Sequence, residues 1–118
     1  MDHHLVILKK QYLDKILSGE KTVEARFTRT RKEPFEKVKS GDRLFLKYSS
    51  GPVCAVGKVY DSEHLEGLLP CDVRKVKKKY NHLILGNDDY WKEKSECRVG
   101  VLVWLDEVKR VEPFNINK

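Results

Sequence analysis

Several features that would place this chain in a familiar class are missing. No apolar run approaches the roughly 20 residues needed to cross a bilayer, and Met1, Asp2, His3 and His4 do not form a cationic stretch leading into a secretion-type hydrophobic segment. Membrane insertion and export are therefore not expected. The three cysteines, Cys54, Cys71 and Cys97, are odd in number, widely spaced and never in a Cys-x-x-Cys pair. That argues against a disulfide framework and against a zinc knuckle, and it makes a reducing cytoplasm the natural compartment. The four histidines lack metal-ligand spacing with one another or with the cysteines, so no metal is expected. A Gly-x-x-x-x-Gly-Lys-Ser/Thr phosphate loop, a dinucleotide fingerprint and a serine elbow are all absent, which speaks against nucleotide hydrolysis, serine-hydrolase chemistry and a bound cofactor. Internal repeats, linkers and low-complexity tracts are lacking too.

What remains fits one domain over residues 1–118. With 40% hydrophobic residues against 36% charged, two Trp, five Tyr and four Phe, the composition is that of a folding chain. The net charge of +6 raises the local concentration of polyanions without specifying one. Its distribution says more. Lys21 to Lys47 holds nine basic and four acidic residues, and Arg74 to Lys79 has five basic residues in six positions. Between them, Asp61 to Asp72 has four acids and no Lys or Arg.

Along the chain, Leu5, Val6, Ile7 and Leu8 read as a buried strand. In Gln11 to Ser18, Tyr12, Leu13, Ile16 and Leu17 mark one face of a short helix, and Gly19 stands where a left-handed C-terminal cap belongs. The period then falls to two. Val23, Ala25 and Phe27 point one way, and Thr22, Glu24, Arg26 and Thr28 the other, so an extended segment here presents an acid, a base and hydroxyls away from its apolar face. Thr28 to Lys39, polar and containing Pro34, reads as a surface loop, and Ser40-Gly41-Asp42 as a turn. Arg43 to Tyr48 and Val53 to Tyr60 make a hairpin joined at Ser49-Ser50-Gly51-Pro52.

Ser62 to His82 favours helix in two pieces interrupted by Pro70, with Val73, Val76 and Tyr80 as its apolar stripe and Arg74, Lys75, Lys77, Lys78 and Lys79 on the other face. A polar loop around Gly86 to Asp89 follows, then Tyr90 and Trp91. Val99 to Leu105 is a strand buried on both faces, and Glu107 to Glu112 a last strand. Five or six short strands with two or more helices predict an α+β fold, a small mixed β-barrel or strongly curved sheet with helices at its ends.

The stretch Ile16-Leu17-Ser18-Gly19-Glu20-Lys21-Thr22-Val23-Glu24-Ala25-Arg26 resembles the signature of the ASCH domain, a PUA-like module with a Gly-x-Lys-x-x-x-x-Arg motif after its first helix. The order of the later segments agrees along the whole chain. The resemblance implies a partly open β-barrel, a cleft lined by Lys21 to Arg26, and an association with RNA or nucleotide-like ligands. Some members of the superfamily bind RNA, and others are small hydrolases that deacylate N4-acetylcytidine with a lysine, a threonine nucleophile three residues later and a glutamate from a later segment. Lys21 matches that lysine, but the nucleophile position holds Glu24. A carboxylate suits positioning water or pairing with a cation rather than forming an acyl intermediate. Thr22 is one pleat repeat, roughly 7 Å, from Glu24 and does not simply replace it.

Lys21, Glu24 and Arg26 form the candidate polar cleft: Arg26 suits bidentate contact with a phosphate or base edge, and Glu24 can accept from an exocyclic amine. The competing reading is an ion-pair cluster that holds a strand in place. Tyr48, Ser49 and Ser50 either line the cleft rim or are a core tyrosine and a hairpin turn. Trp91 reads first as a structural anchor. The basic flank Arg74, Lys75, Lys77, Lys78 and Lys79 either follows a phosphate backbone or is a solvated helix face. Three functions follow from these residues: RNA or modified-nucleoside binding, a small hydrolase of N4-acetylcytidine or RNA using Lys21 and Glu24, and a basic protein-interaction module.

Overall fold

The computed structural model describes residues 2–30 and 38–115. Its elements run β1 (His3–Leu8), α1 (Lys10–Ser18), β2 (Val23–Thr28), β3 (Arg43–Tyr48), β4 (Val53–Leu65), α2 (Pro70–Ile84), α3 (Asp88–Lys94) and β5 (Val99–Phe114). Most of the loop read between Thr28 and Lys39, including Pro34, lies outside the described residues.

Helix α1 forms where its apolar face was legible. Leu13 and Ile16 are buried, and Gly19, at φ 87°, ends the helix by donating its N–H to the Ile16 carbonyl. A left-handed cap of this kind suits glycine, which has no Cβ to clash.

The strands form one sheet in the order β1-β3-β4-β5-β2, parallel between β1 and β3 and antiparallel elsewhere. β1 and β2 are its two edges, so of the two forms expected, a small barrel or a strongly curved mixed sheet, the structure shows an open, mixed five-stranded sheet. Two long strands carry its curvature. β4 pairs with β3 through its first half and with β5 along its whole length, and three register shifts interrupt that second ladder. At one shift Glu107 takes a φ of 49°. Such bulges bend a strand and increase its twist without ending it. The single strand β5 thus replaces the two strands expected at Val99 to Leu105 and Glu107 to Glu112.

Two further expectations are corrected. Ser62 to Leu65 continue β4, and helix begins only at Pro70, in the first turn, where its missing N–H costs nothing. Asp88 to Lys94 form a helix where a polar loop was read.

Apolar residues gather on both faces of β5. Val101 and Val103 join Val6, Leu13, Ile16, Leu44 and Leu46 beneath α1. Leu102 joins Val23, Ala25, Phe27, Val73, Ile84 and Trp91 beneath α2 and α3. Val99 to Leu105 lies between the two cores, which is why its residues are apolar without alternation. Among the described residues, no helix is long and apolar enough to cross a membrane.

Candidate functional site

Because the odd positions of β2 (Val23, Ala25, Phe27) belong to the core under α2 and α3, the pleat turns Glu24 and Arg26 to the other side. There they meet the end of β1. A cavity of about 600 Å³ opens at this seam between the two sheet edges, lined by Ile7 and Leu8 from β1, Tyr12 from α1, Lys21, and residues 24–28 of β2. Its far wall is the α2–α3 connection and α3, including Ile84, Gly86, Asn87, Asp89, Tyr90, Glu93 and Lys94.

Lys21, Glu24 and Arg26 do converge in it. Glu24 lies between the two cations, with Oε1 3.4 Å from Lys21 Nζ and Oε2 3.1 Å from Arg26 Nε. Lys21 is only 3% exposed and Glu24 5%. A carboxylate and an ammonium so far from water are tolerated because each has a partner of opposite charge. Arg26 is the most exposed of the three, and its Nη2 donates to the Ile7 carbonyl at 2.7 Å, tying the β2 edge to the β1 edge.

The Lys21 ammonium has a second task. It donates to the carbonyls of Val23, at 2.9 Å, and of Ile84, the last residue of α2. Thr22 N–H reaches the Leu83 carbonyl at 3.1 Å. The last carbonyls of a helix lack partners within it and carry partial negative charge, so a cation there closes the helix and is stabilised by it. Glu24, at 3.4 Å, is the third neighbour of the ammonium and its counter-ion. The ring of Tyr12 lies 5.6 Å from Nζ. Burial pushes the Lys21 pKa below the ordinary lysine value, and the charge and hydrogen bond of Glu24 oppose that shift.

The wall opposite is built on Asn81. Its side chain donates to the Gly86 carbonyl at 3.0 Å and accepts from Gly86 N–H at 2.8 Å and from Trp91 Nε1 at 2.9 Å. Trp91, 4% exposed, is the structural anchor expected. At Gly86 a Cβ would stand 2.7 Å from the Tyr90 ring and 2.8 Å from Trp91 Nε1, so only glycine lets the chain pass beneath both rings. Asn87 caps α3 by accepting from Tyr90 N–H. Tyr90 crosses Tyr12 edge-on at 6.2 Å between centroids, and its hydroxyl donates to the Ala25 carbonyl at 3.3 Å. Burial, with the charge of Glu24 added, raises the Tyr90 pKa far above the ordinary phenol value, so the hydroxyl stays protonated.

The remaining expected residues are dispersed. Ser49 lines the cavity, whereas Tyr48 does not: its hydroxyl donates to Asp14 on α1 at 2.6 Å, the core-side reading of that residue. Ser50 sits in the hairpin turn at φ 65°, and Thr22 is exposed and outside the lining. Arg74, Lys75, Lys77, Lys78 and Lys79 do not line the cavity; they lie some 7 to 15 Å along the α2 axis from Ile84, at about 1.5 Å per residue. Lys77 pairs with Asp88 at 3.5 Å. Tyr12, Tyr90, Asp89 and Glu93 are among the lining residues that sequence reasoning did not assign to the site. The signal for those on α3 was Asn87 followed by two acids in the first turn, an N-cap in a segment too short to show periodicity.

No protein-family model matches the chain, and no curated protein matches it. Solved structures do. The ASCH protein from Zymomonas mobilis aligns over 95% of this chain and 72% of its own, at a TM-score of 0.72 and 16% identity. A tyrosine-to-phenylalanine variant of the same protein aligns over 98% and 77%, at 0.76 and 16%. A hypothetical protein of known crystal structure aligns over 97% of this chain and all of its own, at 0.58 and 17%. At 16–17% identity these likenesses show the fold: the chain has the ASCH-domain fold.

Proposed function

We propose that the protein binds RNA or a modified nucleoside, taking one base into the cavity between β1, β2 and α3. The observation that carries this reading is the meeting of the Lys21-Glu24-Arg26 cluster with the rings of Tyr12 and Tyr90 in a single cavity of about 600 Å³. That volume lies within the usual range for small-ligand sites. Flat aromatic walls suit a base, the Glu24 carboxylate suits an exocyclic amine, and Arg26 suits a phosphate or carbonyl oxygen. The basic face of α2 adds attraction to the polyanion without choosing a sequence.

A second reading, hydrolysis of N4-acetylcytidine or RNA, is favoured by one feature: a buried amine and carboxylate 3.4 Å apart inside a cavity. Two others weigh against it. The nucleophile position holds Glu24, and the Lys21 ammonium is already engaged by the Val23 and Ile84 carbonyls, so its use in catalysis would break those contacts.

Fluorescence anisotropy with labelled single-stranded RNA, and calorimetry with cytidine and N4-acetylcytidine, test the binding reading. Arg26→Gln is expected to weaken association about tenfold, the loss of one charge-assisted contact, with an unchanged circular dichroism spectrum. Unchanged affinity in Arg26→Gln and in Tyr12→Ala would remove the cavity from the account. Release of cytidine or shortened strands by the unmodified protein would move the second reading to first place.

A further inference from the structure

Across β1, β3 and the first half of β4, the sheet face turned away from α1 carries no residue of either apolar cluster, and strand pairing arranges it in rows. His3, Arg43 and Lys58 lie in register across β1, β3 and β4, and Leu5, Phe45, Val56 and Lys109 form the next row, two residues and therefore about 7 Å further on. The His3 ring stacks on Phe45 with centroids 5.5 Å apart and planes within 15°. Phe114 meets Phe45 edge-on at 6.1 Å. His3 is exposed and Phe114 is 41% exposed. Beside the rings lies a shallow depression of about 380 Å³ whose charged lining is Arg43, Lys58, Lys109 and Glu107. None of the three cations forms an ion pair among the described residues. The nearby Asp106 carboxylate accepts the Glu107 N–H at 2.9 Å.

Exposed rings at His3 and Phe114, backed by the half-buried Phe45, next to cations without ion pairs among the described residues, supply the two things an unpaired strand of nucleic acid requires: faces for its bases and charge for its phosphates. A duplex, whose bases already stack on one another, has no use for the rings. We propose that this face is a second nucleic-acid surface, separate from the cavity, on which a single-stranded polynucleotide stacks bases on the exposed His3 and Phe114 rings, which Phe45 backs, and sets phosphates against Arg43, Lys58 and Lys109. It does not depend on the cavity reading, which requires only one nucleoside.

The test uses a short labelled oligouridylate, a duplex of equal length and a salt series. Neutralising Arg43, Lys58 and Lys109 together with Gln is expected to weaken single-strand binding at least tenfold. It should also reduce the slope of log affinity against log salt by about 2, since each contacted phosphate of a single strand contributes about 0.7. His3→Ala with Phe114→Ala should weaken it about tenfold through lost stacking and leave the slope unchanged. Both variants replace exposed side chains, and both should bind a free nucleoside as the unmodified protein does. Single-strand affinity and salt slope unchanged in the triple variant would overturn the proposal. So would equal losses for single strand and duplex in the aromatic variant. If the triple variant instead loses only an acidic peptide and keeps the oligouridylate, the surface belongs to a protein partner and the proposal fails.

Discussion

Glu24 is the residue on which the candidate site turns, because it is buried and holds two cations at once. Removing its charge leaves Lys21 out of water without a counter-ion. Glu24→Gln is therefore expected to lower unfolding stability by about 3 kcal/mol, in the range for breaking a buried pair. Arg26→Gln, at a side chain 37% exposed, should cost under about 1 kcal/mol. Urea denaturation of both variants checks this, and equal costs would mean that the cluster is held by Arg26 rather than by Glu24. Glu24 and Arg26 were legible because the two-residue alternation of β2 separates them from Val23, Ala25 and Phe27, and Lys21 through the Gly-x-Lys-x-x-x-x-Arg resemblance. Tyr12 was legible only as part of an apolar helix face. That its ring also lies over Lys21 depends on the chain reversal at Gly19, which no spacing in the sequence displays.

At the scale of elements, α3 decides whether the cavity has a wall. Seven residues bury little surface, and the helix is held through Trp91, Asn81 and the close passage of Gly86. Gly86→Ala puts a methyl group into the Tyr90 and Trp91 rings. Overpacking of this kind is expected to destabilise by about 1–3 kcal/mol, with a red shift of tryptophan emission and weaker nucleoside binding. An unshifted emission spectrum at full affinity would show that the loop relaxes around the methyl group. The strands were easier to read than the helices. The β3–β4 hairpin announces itself through alternation and a Gly-Pro turn, whereas the charged run after β4 has no period strong enough to show where strand gives way to helix. Ser62 to Leu65 extend as strand because β5 offers a pairing partner for that length, a tertiary cause that local propensity does not contain.

For the molecule as a whole, Asp42 and Lys21 are buried groups through which stability changes with pH. Burial of Asp42 works to raise its pKa, but hydrogen bonds from His4 and from the Asp2 and Lys39 N–H groups prevail and hold it below its ordinary 3.8. The native chain then binds fewer protons than the unfolded one in the window under 3.8, so the stability Asp42 contributes is complete above that value and lost as pH falls through the folded pKa. Lys21 acts at the other end: with its pKa lowered from 10.5, stability rises with pH between the folded value and 10.5. Tyr90, raised from 10.0, opposes this above 10.0. Urea midpoints should drop more steeply on acidification below 3.8 in the unmodified protein than in Asp42→Asn. Matching acid limbs would mean that other carboxylates govern the transition. The open sheet has its own consequence. Were the first and last neighbours of the sheet laced together by a full ladder, main chain would occupy the gap that one guanidinium now spans, and no room would remain for a guest. Engineering that stitches this gap shut should thus give a sturdier protein that has forfeited its vacancy.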